Sequence, residues 1–241
     1  MSATLLIARR EFSAYLRTWL GYLVAAGVLA VWGLAFNAGV LGRGPFKSAD
    51  VLGTFFWWTS GLTMVVALLL SMRLLAEERG QGTINLLYSS PVRDGEIVVG
   101  KFLACFGFVA LFILATLYMP ALIFVNGKVS FGHIAAGYFG LFLVGAATVA
   151  IGAFASALTK SQVVAIILGG CFTLVLVLTW VLARITERPL TDVFNSMALW
   201  NEHYPAFQHG IVHVRDVVYY LAVTYVALFA ATRVLEARRW R

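Results

Sequence analysis

Charge is scarce in this chain. Only 12% of its 241 residues are Asp, Glu, Lys or Arg, against 61% hydrophobic, and the mean hydropathy is +0.87. Soluble domains carry about 25% charged residues. The composition therefore excludes an ordinary soluble domain and predicts an all-α polytopic membrane protein. Cysteine is nearly absent as well. Cys105 and Cys171 both fall in apolar runs, which implies no disulfide framework and reads as two packed thiols. No charged residue lies within the central apolar runs. Intramembrane charges mark ion and proton paths, so their lack argues against an ion-coupled transporter.

Catalytic motifs are missing too. The nearest text to a P-loop, Gly42-Arg43-Gly44-Pro45-Phe46-Lys47-Ser48, lacks the Gly-Lys step that places a lysine against phosphates. A metal-dependent membrane protease would need Arg four residues after Glu78, where Gly82 stands; a rhomboid-type protease would need Gly where Trp58 precedes Ser60-Gly61. No enzyme activity is expected of this chain, nor a cofactor of its own. The net charge of +7 does not point to nucleic acid, because the basic residues cluster at the ends of apolar runs.

Six uncharged runs are present, at 18–41, 51–72, 102–126, 129–159, 161–183 and 217–232. Most are long enough for a hydrocarbon layer of about 30 Å. The fourth is expected to begin at the interface near His133, and the last to begin earlier than its apolar core, near Asp216. Six crossings place both termini on one side. That side carries twelve of the 18 Lys and Arg, so the positive-inside bias puts the termini in the cytoplasm. No segment outside the runs could build its own core, so 1–241 reads as a single membrane domain.

The N-terminal 1–17 is not a cleavable signal, because the apolar run after it is too long. It reads as an interfacial helix: Leu5, Ala8, Phe12, Tyr15 and Trp19 share one face, and Arg9, Arg10, Ser13 and Arg17 the other. In the fourth run Thr148, Gly152 and Ser156 recur four apart, small residues that let helices approach closely; packing inside the chain is favoured over a dimer face. The longest loop, 184–216, mixes aromatic and polar residues and is expected to fold into the outer interface, either as short re-entrant helices or as an aromatic interfacial loop.

The most informative stretch lies between the second and third runs. Residues 73–101 hold eight charges, four of each sign. Gly80 and Gly82 are predicted to end the helix that leaves the membrane. A short amphipathic helix would follow, with Thr83 near its cap and Ile84, Leu87 and Tyr88 on one face. Pro91 would stop it, and Asp94 would cap the next helix. The tip carries no basic residue between Gly80 and Val92. A helix lying on anionic lipid carries Lys or Arg, so a protein groove is the better partner.

These residues resemble the cytoplasmic coupling loop of type-2 ABC exporter permeases. The matching text is Glu77-Glu78, Gly82-Thr83, Leu86-Leu87, Ser90-Pro91-Val92 and Glu96-Ile97-Val98-Val99-Gly100-Lys101. Asn85 departs from the pattern, where the family often has Glu. A second match runs from His203 through Phe207, Gly210, Arg215 and Asp216 to Tyr220, and Arg9-Arg10-Glu11-Phe12 is similar to the family's elbow helix. The short layout is most similar to the gliding-motility-associated branch. The resemblance implies six membrane helices, an elbow helix (1–17), a coupling helix within 77–100 and re-entrant helices before the last crossing. It also implies a cytoplasmic ABC ATPase that holds ATP and Mg, a second permease subunit, and in some systems an extracytoplasmic accessory protein. Two alternatives remain at this level: a membrane scaffold without an ATPase, or a permease for metal-centre maturation that uses His203, His209 and His213.

Overall fold

The computed structural model describes residues 3–17, 19–37, 48–82, 92–126, 129–188 and 190–239. The regular elements among them are helices: α1 (Ala3–Arg17), α2 (Trp19–Ala35), α3 (Ser48–Ser71), α4 (Arg73–Gly80), α5 (Asp94–Ala115), α6 (Tyr118–Asn126), α7 (Phe131–Leu158), α8 (Gln162–Ile185), α9 (Leu190–Met197), α10 (Tyr204–Gln208) and α11 (Val214–Arg239). Five stretches are long and apolar enough to cross a membrane: Asp50–Gly80, Asp94–Val125, Phe131–Leu158, Gln162–Ile185 and Val214–Arg238. The sequence predicted six. The first of those, α2, has 17 residues. At 1.5 Å per residue it rises about 25 Å, short of the ~30 Å layer; residues 36–37 continue it as a π-helical turn, and the rest of its run, 38–41, lies outside the described residues.

Helix α7 is the axis of the bundle. Its apolar window is 78% buried, against 22% for α8 and 11% for α11. Glycine and alanine make this possible, because they let neighbouring helices approach the backbone. At Gly152 a Cβ would lie 1.8 Å from Ser71 Oγ, so no larger residue fits against α3. Thr148 and Ser156 are fully buried beside it. The small-residue stripe is thus used inside the chain.

Two breaks depart from the expected straight helices. Helix α3 ends at Ser71 and α4 restarts at Arg73. At this step the Ser156 hydroxyl accepts from the backbone N–H of Leu75 and Ala76 at 3.0 and 2.9 Å, and donates to the Met72 carbonyl at 2.9 Å. A side chain from α7 has inserted into the helical ladder, a recognised cause of a kink. The third crossing breaks at Thr116–Leu117, four residues before Pro120, whose ring clashes with the carbonyl of the preceding turn. Thr116 Oγ1 covers the break by donating to the Ile113 carbonyl, with Tyr138 Oη 3.0 Å away.

Helix α1 differs from the expected interfacial helix in one respect. Its apolar face rests mainly on α5. Tyr15 stacks on Phe108 at 5.1 Å, and Phe12 lies against Gly107. Gly100 faces the Thr4 carbonyl and Ile7 so closely that a Cβ would sit 2.9 Å from that oxygen. Leu5 remains half exposed. Trp19 does not extend this face, because it opens α2 instead. Cys171 also departs from expectation: Cys105 is buried, whereas Cys171 is exposed on α8.

Candidate functional site

The predicted coupling residues Thr83, Ile84, Leu86, Leu87, Tyr88, Ser90 and Pro91 lie outside the described residues. What the structure places is the base of that hairpin. The outgoing leg is α4. Gly82 follows it with φ +72, a left-handed conformation that glycine adopts without steric cost. The returning leg begins at Arg93, whose extended backbone makes it the N-cap of α5. Asp94, expected as the cap, is instead the first helical residue. The capping contact comes from Glu96, whose carboxylate accepts from the Arg93 N–H at 3.1 Å. The cap therefore falls one residue earlier, because the acid three residues on can reach back to the open N–H.

Charge ties the two legs together. Lys101 Nζ lies 2.8 Å from Glu78 on α4 and 3.4 Å from Glu11 on α1, with only 5% of its side chain exposed. Arg10 reaches the same Glu11 oxygen at 3.1 Å. The order Arg10, Glu11, Lys101, Glu78 alternates in sign across three helices. A buried ammonium is tolerable only with such partners. Glu77 does not join this chain; it takes a two-pronged contact from Arg73, at 2.8 and 3.0 Å, within α4. Arg79 is buried and donates to the Ala157 carbonyl of α7. Ser156 grips the other end of α4. The outgoing leg is therefore fastened to α7, and the returning leg to α1. Arg9 and Arg17 are exposed and stay outside the ion pairs of this network, while Phe12 is half-buried.

The predicted outer residues gather at the opposite end. His203 is buried, with Nδ1 2.7 Å from Asp216 Oδ1 and Nε2 3.2 Å from the Ser196 carbonyl. Its ring stacks on Tyr219 at 3.9 Å. Phe207 is fully buried and packs over Gly140. Gly210 has φ +80 and sits against His133, whose Nε2 is 2.8 Å from the Gln208 carbonyl. Arg215 is exposed, 3.7 Å from Glu202. The neutral contacts were not foreseen. Tyr204 donates to the Phe56 carbonyl at 3.1 Å, and Tyr220 to the Leu199 carbonyl at 2.7 Å. Trp200 Nε1 donates to Ser60 Oγ at 2.9 Å. Burial pushes the Tyr204 phenol far above its ordinary pKa, so it acts as a neutral donor.

The described geometry does not gather the three histidines of the metal alternative on one helix face. Both His203 nitrogens already face oxygen acceptors. His209 and His213 are exposed, and the chain between them is a turn followed by non-helical backbone, so the four-residue spacing does not bring them to one helix face. No group of three His, Cys, Asp or Glu able to hold a metal occurs among the described residues.

Sequence reasoning named Glu11 and Ser156 but missed the partners that they meet. The signal for Glu11 was an acid in an otherwise basic helix. For Ser156 it was a hydroxyl in a row of small residues.

Residues 48–238 match the family described as ABC-2 family transporter protein. The match spans α3 to the last turn of α11, and α1 and α2 precede it. No curated protein matches the chain.

Proposed function

The chain belongs to the ABC-2 transporter family, and on that premise we propose that it is the permease subunit of a type-2 ABC exporter, driven by a separate cytoplasmic ATPase that holds ATP and Mg. It is a multi-pass membrane protein with the helices of a transporter component. In this reading α2 completes a six-helix bundle in a bacterial inner membrane, with both termini cytoplasmic and α1 as the elbow helix. Two such subunits, identical or related, form the membrane unit, and an accessory protein can sit on the outer cap. Residues 83–91 seat in a cleft of the ATPase, with Ile84, Leu87 and Tyr88 as buried anchors and Glu77, Glu78 and Glu96 framing them. The short layout fits the gliding-motility-associated branch. The chain itself performs no chemistry.

The observation that carries this reading is the cross-tied hairpin base. A displacement at the tip reaches α7 through Ser156 and Arg79, and reaches α1 through Lys101. Closure of a nucleotide-driven partner would thus move several membrane helices together, instead of bending one loop. The test is purification of the tagged chain from its native membrane in mild detergent. The wild type is expected to retain a P-loop ATPase, and Leu87→Asp to lose it while remaining monodisperse. Retention by Leu87→Asp, or a wild type with no ATPase, would overturn the reading; the second result favours a scaffold role.

A further inference from the structure

Helix α1 does not cover α5 completely. Between them runs a groove of about 260 Å3, lined by Leu5, Ala8, Arg9, Phe12, Leu103 and Ala104. It opens outward, where Leu5 and Leu103 are 52% and 40% exposed. Apolar side chains in this position on a membrane-spanning bundle face lipid, so the groove is continuous with the lipid-exposed surface of α5. It is too small for a whole lipid and wide enough for a stretch of one acyl chain.

One cation marks its mouth. Arg10 is engaged by Glu11, and Glu11 is in turn held by Lys101. Glu11, the chain neighbour of Phe12, is thereby paired. Arg9 lines the groove, is exposed, and makes no ion pair among the described residues. A guanidinium above an apolar slot at a membrane interface is complementary to a phosphate above an acyl chain. We propose that this groove is a binding site for one anionic phospholipid, its acyl chain against Leu103 and Phe12 and its phosphate held by Arg9.

The site goes beyond the transport reading and does not depend on it, since no ATPase enters its test. The chain is purified in a neutral detergent and offered phosphatidylglycerol or phosphatidylcholine with the same acyl chains, and bound lipids are counted by native mass spectrometry. The wild type is expected to retain one phosphatidylglycerol in preference to phosphatidylcholine. Arg9→Ala should weaken that preference about fivefold, the factor that follows from losing one cation at an anionic surface. Ala8→Phe, which fills the groove, should lose the retained lipid. Arg17→Ala, outside the groove, should behave as wild type. Equal retention of both lipids by the wild type would overturn the proposal. So would an unchanged preference in Arg9→Ala, an unchanged count in Ala8→Phe, or an equal loss in Arg17→Ala.

Discussion

The two ends of this bundle are held by different chemistry. At the end that carries the hairpin base, charged side chains join the helices beside the Ser156 hydroxyl: Glu78 and Glu11 share Lys101, and Arg79 reaches a carbonyl on α7. At the opposite end, aromatic side chains donate to backbone carbonyls and to Ser60, beside one buried contact between His203 and Asp216. Phenol and indole donors each have one proton to place, so they fix one arrangement. A lysine carries three donors on a flexible stem and can exchange carboxylates without losing all its partners. The end that would receive the motor thus includes one re-pairable contact, at Lys101, whereas the far end is held by contacts that must break outright.

Substitutions can break this contrast, and Lys101→Ala should have the largest effect. It leaves Glu78 and Glu11 without their shared cation, and breaking a buried pair on one side costs about 3–5 kcal/mol. Thermal unfolding in detergent should show a large loss, with α1 released to proteolysis. An unchanged midpoint would mean the charge chain holds nothing together.

Ser156→Ala comes next. It strands the N–H groups of Leu75 and Ala76, and an unsatisfied buried donor costs about 1–3 kcal/mol. The loss should appear as faster hydrogen exchange confined to α4. Uniform exchange across the bundle would show that Ser156 is only filling space.

Tyr204→Phe should have the smallest effect. It keeps the ring and removes one neutral hydrogen bond, a net loss of about 0.5–1.5 kcal/mol. Raising the salt concentration should not change its size, whereas the Lys101→Ala deficit should shrink as salt weakens the partly exposed Glu11 arm. A salt-dependent Tyr204→Phe would erase the distinction between the two ends.

Much of this was legible from residues alone. The apolar runs located the five long helices, because a membrane span is a matter of length and composition. The early start of α11, near Asp216, followed from the same runs. The turn at Gly82 was readable because a left-handed conformation favours a residue without a Cβ. The cap at Arg93 was misplaced by one, since the reach of Glu96 back to an open N–H is a geometric accident of the first turn. The histidine pair failed for a related reason. Spacing of four means one face only if the chain is helical, and between His209 and His213 it is not.

What the chain's own text determined, then, is which segments leave water and where backbone turns must fall, because hydropathy and glycine or proline act locally. What only the folded bundle decided is which distant partners meet. Nothing near Ser156 announces that its hydroxyl will replace two helical hydrogen bonds some 80 residues away. Nothing near Lys101 names Glu11 on a helix at the other end of the text. Those pairings exist because Gly152 and Gly100 let backbones close to contact, and at that distance a buried hydroxyl or ammonium must take whatever acceptor the neighbouring helix presents.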